Sequence, residues 1–184
     1  MTTYPIHTVE SAPAGAQDAL RGLQQALGLL PNLAATMANS PALVNTFVAA
    51  FGQFAGTGFT AAERQVLLLT NAVTNRSAWA VAFHSTAALK EGVAPAEVEA
   101  IRHRRRPADT RLAALSTVTR QLIEKRGHLD ETDAKEFAAA GFEPNQLFDV
   151  IAGLAISTTA NYAGNIARPP LEAPFQAQAW DGED

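Results

Sequence analysis

A chain of 184 residues, 47% hydrophobic and 17% charged, fits one domain with a substantial core, since domains typically run about 100–200 residues. No apolar stretch approaches the roughly 20 residues a bilayer requires, and the first thirty residues lack the basic start and apolar centre of a secretory leader, so a cytoplasmic protein with no membrane contact is expected. The net charge of −4 gives no field that would draw in nucleic acid, and the absence of cysteine excludes disulfides, thiolate nucleophiles and thiol redox cycles.

Alanine makes up roughly a fifth of the chain and aromatics only 7%, a balance that favours an all-α fold of closely packed helices. Residues 1–17 carry no sustained period and read as an extended arm, lying on the surface or on a neighbouring subunit. Residues 18–168 read as one helical domain. Leu20, Leu23, Leu27 and Leu30 step by three and four, and Pro31 interrupts them, which predicts a first helix ending near Leu29. A short helical piece through Met37 follows. Ser40-Pro41 is a start signal for a helix that stops at Gly56-Thr57-Gly58.

Thr60-Ala61-Ala62-Glu63 has the form of a capping box and predicts a helix to about Asn75. Trp79, Phe83 and Ala87 recur every four residues before Gly92, which predicts another over Ser77 to Glu91, with Ser77 as its capping residue. Pro95 to Ile101, Asp109 to Arg126 and Asp130 to Ala140 read as further helices. The last, Pro144 to Ala167, is apolar nearly all round, as suits the centre of a domain or an oligomer. Residues 169–184 carry Leu171, Phe175 and Trp180 in a polar background and read as a strap that docks large side chains into grooves, on this chain or a partner. The arm and strap together predict a homodimer or a larger homo-oligomer.

The run Asn75-Arg76-Ser77-Ala78-Trp79-Ala80-Val81-Ala82-Phe83-His84, between the Thr60 helix and the stop at Glu91-Gly92-Val93, resembles the core of the carboxymuconolactone decarboxylase and alkylhydroperoxidase D family. Leu30-Pro31-Asn32, Ser40-Pro41-Ala42-Leu43 and Asn161-Tyr162 ahead of Pro170-Leu171 resemble its longer, peroxidase-related members. The resemblance implies an all-α alkylhydroperoxidase D-like bundle. In the peroxidase branch the pattern is a glutamate, a Cys-x-x-Cys and a histidine; laid on this chain, those positions are Gln65, Ser77 with Ala80, and His84. Dithiol peroxidase chemistry needs one thiolate to attack and a second to resolve the sulfenic acid, which serine and alanine do not supply. Gln65 also cannot accept and release a proton near neutral pH as a carboxylate does. The chain is therefore not a thiol peroxidase as written.

His84 is the matched residue whose chemistry survives in both branches. The resemblance implies cofactor-free proton transfer centred on His84, with Gln65 and Ser77, decarboxylating or isomerising a small organic acid or lactone. Two alternatives stand beside it: a non-catalytic ligand-binding relative, and a thiol peroxidase inactivated at its cysteines. Ser77 and His84 sit about two turns apart, roughly 10 Å along one helix, too far for a serine–histidine nucleophile pair. If His84 transfers protons, it should face an apolar pocket bounded by Gln65, Ser77, Ala80 and residues of the last helix such as Thr158, Asn161 or Tyr162, with Trp79 nearby. Its ring should be held by a hydrogen bond and stay neutral at pH 7. Trp79 and Phe83 also read as an ordinary core or interface ridge. Arg102 to Arg106 form a basic run that reads as solvated. His7, His103, His128 and His84 lack metal-ligand spacing, and no phosphate loop or dinucleotide fingerprint appears, so no metal or cofactor is expected.

Overall fold

The computed structural model describes residues 3–182; residues 1–2 of the arm and 183–184 of the strap lie outside it. The fold is all-α, with no strand among the described residues. In chain order the helices are α1 (Gln17–Leu27), α2 (Asn32–Met37), α3 (Pro41–Ala55), α4 (Ala61–Thr74), α5 (Ala78–Lys90), α6 (Pro95–Arg102), α7 (Thr110–Glu124), α8 (Glu131–Ala139) and α9 (Gln146–Ala167). None is long and apolar enough to cross a membrane.

Local chemistry sets most of these boundaries. The Ser40 hydroxyl accepts from the Leu43 amide, with Pro41 in the first helical turn. At α4 both halves of the capping box form: the Thr60 hydroxyl accepts from the Glu63 amide, and a Glu63 oxygen accepts from the Thr60 amide at 2.8 Å. Gly28 ends α1 in the left-handed conformation, φ 75°, two residues before the expected stop. Pro144 lies in a turn, so the last helix starts at Gln146.

Helix α4 is the centre of the domain, and α5, α6, α7 and α9 pack around it. Val66, Leu67, Leu69 and Ala72 on α4 are fully buried. Gly153 permits the close approach of α9, because a Cβ there would lie 2.8 Å from Leu67 Cδ2 and 2.9 Å from Phe54 Cε2. Burial of α9 is one-sided, contrary to its all-round apolar sequence. Val150, Ile156 and Ala160 face the core, while Phe148, Ile151, Tyr162 and Ile166 are exposed.

Both terminal segments lie on their own chain. The arm donates from the His7 amide to Ala35 O, receives Asn39 Nδ2 on Pro5 O at 2.8 Å, and buries Val9, Ala12 and Ala16. The strap turns through a short 3-10 helix, Ala173–Gln178, against α5 and buries Phe175 against Trp79 and Phe83. Arg102 clamps it, donating to Gln178 O and Ala179 O at 3.0 Å and to the Ser85 hydroxyl. The first residue of the basic run is thus a structural clamp.

Candidate active site

The turn between α4 and α5 has three residues, Asn75, Arg76 and Ser77. The Ser77 amide donates back to Ala72 O at 2.9 Å, which closes the turn and lays α5 against α4. This packing brings Gln65, one turn into α4, to His84, in the second turn of α5. Gln65 Oε1 lies 2.9 Å from His84 Nδ1. An amide oxygen only accepts, so Nδ1 carries the hydrogen and Nε2 keeps its lone pair. Nε2 has no protein partner and is not among the buried unpartnered atoms, so it meets solvent. The residue is half-buried. Desolvation pushes its pKa from 6.5 down to about 3, which makes the imidazole neutral at pH 7.

The remaining residues singled out from the sequence occupy different surroundings. Ala80 is buried beside the pair's helix interface. Trp79 is buried, stacks on Phe83 at 5.2 Å, and donates from Nε1 to Glu172 of the strap at 2.9 Å. Glu172 accepts with its other oxygen from the Asn32 amide, so one carboxylate joins strap, α2 and α5. Asn161 is fully buried on the seam between α9 and α4, donating to Asn71 Oδ1 at 3.0 Å and to the Ser157 hydroxyl. Thr158 accepts from Asn71 in the same network. Tyr162 is 57% exposed.

Ser77 holds the position before the first turn of α5, yet its hydroxyl makes no capping bond. The side chain is fully buried and its Oγ has no partner. It lies against Gly164 of α9, where a Cβ would sit 3.4 Å away. The capping expectation fails because the interhelical packing, a non-local contact, directs the hydroxyl toward α9 instead of toward its own helix. A cavity of about 340 Å³ opens at this point, lined by Arg76, Ser77, Trp79, Gly164 and Arg168 among others. His84 and Gln65 are not among the residues lining this cavity. Arg76 lies in the run that carries the resemblance but is given no role there, Arg168 carries no signal, and only the fold places them together.

Residues 41–121, from α3 into α7, match the model of the carboxymuconolactone decarboxylase family. That segment resembles the core of the carboxymuconolactone decarboxylase family. It contains both Gln65 and His84. No curated protein matches the chain by sequence. Among solved structures, an alkylhydroperoxidase AhpD core, described as an uncharacterized peroxidase-related protein from Ralstonia eutropha JMP134, superposes with a TM-score of 0.82 at 18% identity, covering 94% of this chain and 93% of that one. The debrominase Bmp8, solved as a Cys-to-Ala variant with 2,3,4-tribromopyrrole, gives 0.78 at 19% identity, over 97% and 95% of the two chains. A peroxidase-related protein from Silicibacter sp. TM1040 gives 0.78 at 18%, over 96% and 94%. At these identities the likeness is one of fold. The chain has no cysteine, and Gln65 and His84 form the side-chain pair between α4 and α5 within the matched segment.

Proposed function

We propose that the protein is a cofactor-free proton-transfer catalyst acting on a small organic acid or lactone, with His84 Nε2 as the base and Gln65 as the residue that fixes its tautomer. The observation that carries this reading is the 2.9 Å bond from Nδ1 to Gln65 Oε1, which leaves Nε2 unpaired and open to solvent. In the step envisaged, Nε2 takes a proton from a carbon next to a carbonyl, and the electron pair moves onto the carbonyl oxygen. The imidazolium then returns the proton to the same or a neighbouring carbon, so no oxidant or reductant is consumed.

A pKa near 3 makes the empty site a weak base, because base strength falls with the affinity for the proton. A carboxylate on the substrate supplies what Gln65 lacks: a negative charge within about 4–6 Å raises such a pKa by roughly 1–3 units. This favours acids over neutral substrates. The test is deuterium incorporation from D2O into a panel of small lactones and oxo acids, followed by proton NMR. At least one should exchange well above the buffer rate, and His84→Gln should lower that rate by roughly 100-fold or more. Exchange that survives the substitution, or exchange of no panel member, contradicts the proposal.

We further propose that a second copy of the chain covers the exposed face of α9. Phe148, Ile151, Ala155, Thr159, Tyr162 and Ile166 follow one another at three- and four-residue steps, and Phe148 and Ile166 are 75% and 67% exposed. The stripe carries no charge, and two copies related by a two-fold axis would meet the same surface on each. Light scattering at micromolar concentration should give a dimer or a multiple of it, with Ile166→Glu shifting it to monomer. A monomeric wild type contradicts this.

A further inference from the structure

The cavity between the start of α5 and the end of α9 has the features of an oxyanion site. Ser77 Oγ is buried and has no hydrogen-bond partner, an expensive state for a hydroxyl unless something completes it. Its residue lines the cavity together with Gly164, where a Cβ would sit 3.4 Å from Oγ. Helix α5, thirteen residues long, begins at the same point without a side-chain cap, and its first backbone bond is from the Val81 amide. The amides of Ala78, Trp79 and Ala80 are therefore left without helical acceptors. Two arginines, Arg76 and Arg168, border the opening, and neither makes an ion pair or a side-chain hydrogen bond among the described residues. Glu172, which bonds to the cavity-lining Trp79, has both oxygens taken, by the Asn32 amide and by Trp79 Nε1.

We propose that this cavity binds the carboxylate of a small organic acid, with Ser77 and the α5 amides donating to its oxygens and Arg76 and Arg168 supplying the positive charge. Planar guanidinium groups match a carboxylate in geometry as well as in charge. Trp79 and Pro169 give the cavity an apolar wall, which suits the carbon skeleton of an organic acid better than a bare phosphate. The volume of about 340 Å³ is at the lower end for ligand pockets and fits a small molecule. This assignment rests on Ser77, Gly164 and the arginines, and it holds whether or not His84 is a base.

Three substitutions separate binding from folding. Gly164→Ala puts a methyl 3.4 Å from Ser77 Oγ, ordinary contact, in a helix interior where alanine is favoured over glycine. Arg168→Gly removes a charge at a left-handed position, φ 49°, where glycine is the relaxed residue. Arg106→Ala, on the exposed basic run, serves as the control. Titration calorimetry with benzoate and with succinate, at fixed ionic strength, should show saturable binding of at least one of them, one per chain. Gly164→Ala and Arg168→Gly should each weaken it tenfold or more without lowering Tm, while Arg106→Ala leaves it within twofold. Saturation by neither carboxylate, retention of affinity in Gly164→Ala or Arg168→Gly, or inorganic phosphate binding as tightly as the better carboxylate overturns the proposal. Affinity is read here by calorimetry and proton transfer by deuterium exchange, so failure of this proposal and failure of the proton-transfer reading are told apart.

Discussion

Acidifying the protein from pH 6.5 to 4.5 should destabilise it, and His84→Gln should remove most of that loss. The ordinary histidine pKa of 6.5 applies to the unfolded chain, whereas burial holds the folded ring near 3. Above pH 6.5 the ring is neutral in both states and stability is full. Below it the unfolded chain binds a proton that the folded chain refuses, so stability falls by about 1.4 kcal/mol per pH unit until the folded ring itself titrates near 3. By pH 4.5 this amounts to at most about 2.7 kcal/mol, and the partial exposure of the ring reduces it to roughly 1–2 kcal/mol. The carboxyls that the fold holds below their usual range, Glu63 among them, add a loss as pH approaches their unfolded values, but it is common to both proteins, so the difference between wild type and His84→Gln isolates the histidine. Urea midpoints across this range, wild type against His84→Gln, measure the difference. Equal slopes contradict the assigned protonation state.

Replacing Glu63 should cost more than any other change at a single polar side chain described above. Burial alone raises its pKa, but the Thr60 amide, the Arg111 guanidinium and the Thr60 hydroxyl outweigh that and hold the carboxyl below its usual range. One oxygen caps α4 through the Thr60 amide and the other accepts from Arg111 Nε at 2.5 Å. Arg111 continues to Ala140 O and Gly141 O, and its guanidinium lies 3.7 Å from the centre of the Phe142 ring. Glu63→Ala therefore removes a cap and strands the charge that ties α7 to the chain after α8. The cap is worth about 1 kcal/mol, and breaking the ion pair, discounted for a half-exposed arginine, costs roughly 2 kcal/mol. At about 2–4 °C per kcal/mol for a domain of this size, Tm should fall by roughly 6–12 °C. Glu63→Gln keeps an acceptor for the Thr60 amide and should recover about the capping part. A thermal melt checks both.

The helices were legible because their signals are local. The Thr60 box, the Ser40-Pro41 start and the glycine after α5 act within four residues, and the resemblance around Asn75 to His84 placed Gln65 opposite His84. What was not legible depends on contacts far apart in sequence. Ser77 reads as a cap, but its hydroxyl is set by Gly164, 87 positions away. The side of α9 that faces outward is not marked in its uniformly apolar sequence. The strap's own-chain location follows from Glu172 meeting Trp79 and from Arg102 meeting residues 178 and 179. None of those pairs has a spacing that a reader of the sequence could recognise.

His84 is neutral, with its hydrogen on Nδ1 and its lone pair on Nε2. Nitrogen-15 NMR of the imidazole rings, titrated from pH 8 to 5 with His84→Gln for assignment, tests it most directly. His84 should stay in the Nδ1–H tautomer with no protonation across the whole range; a ring that titrates near 6.5, or one that carries its hydrogen on Nε2, would contradict this.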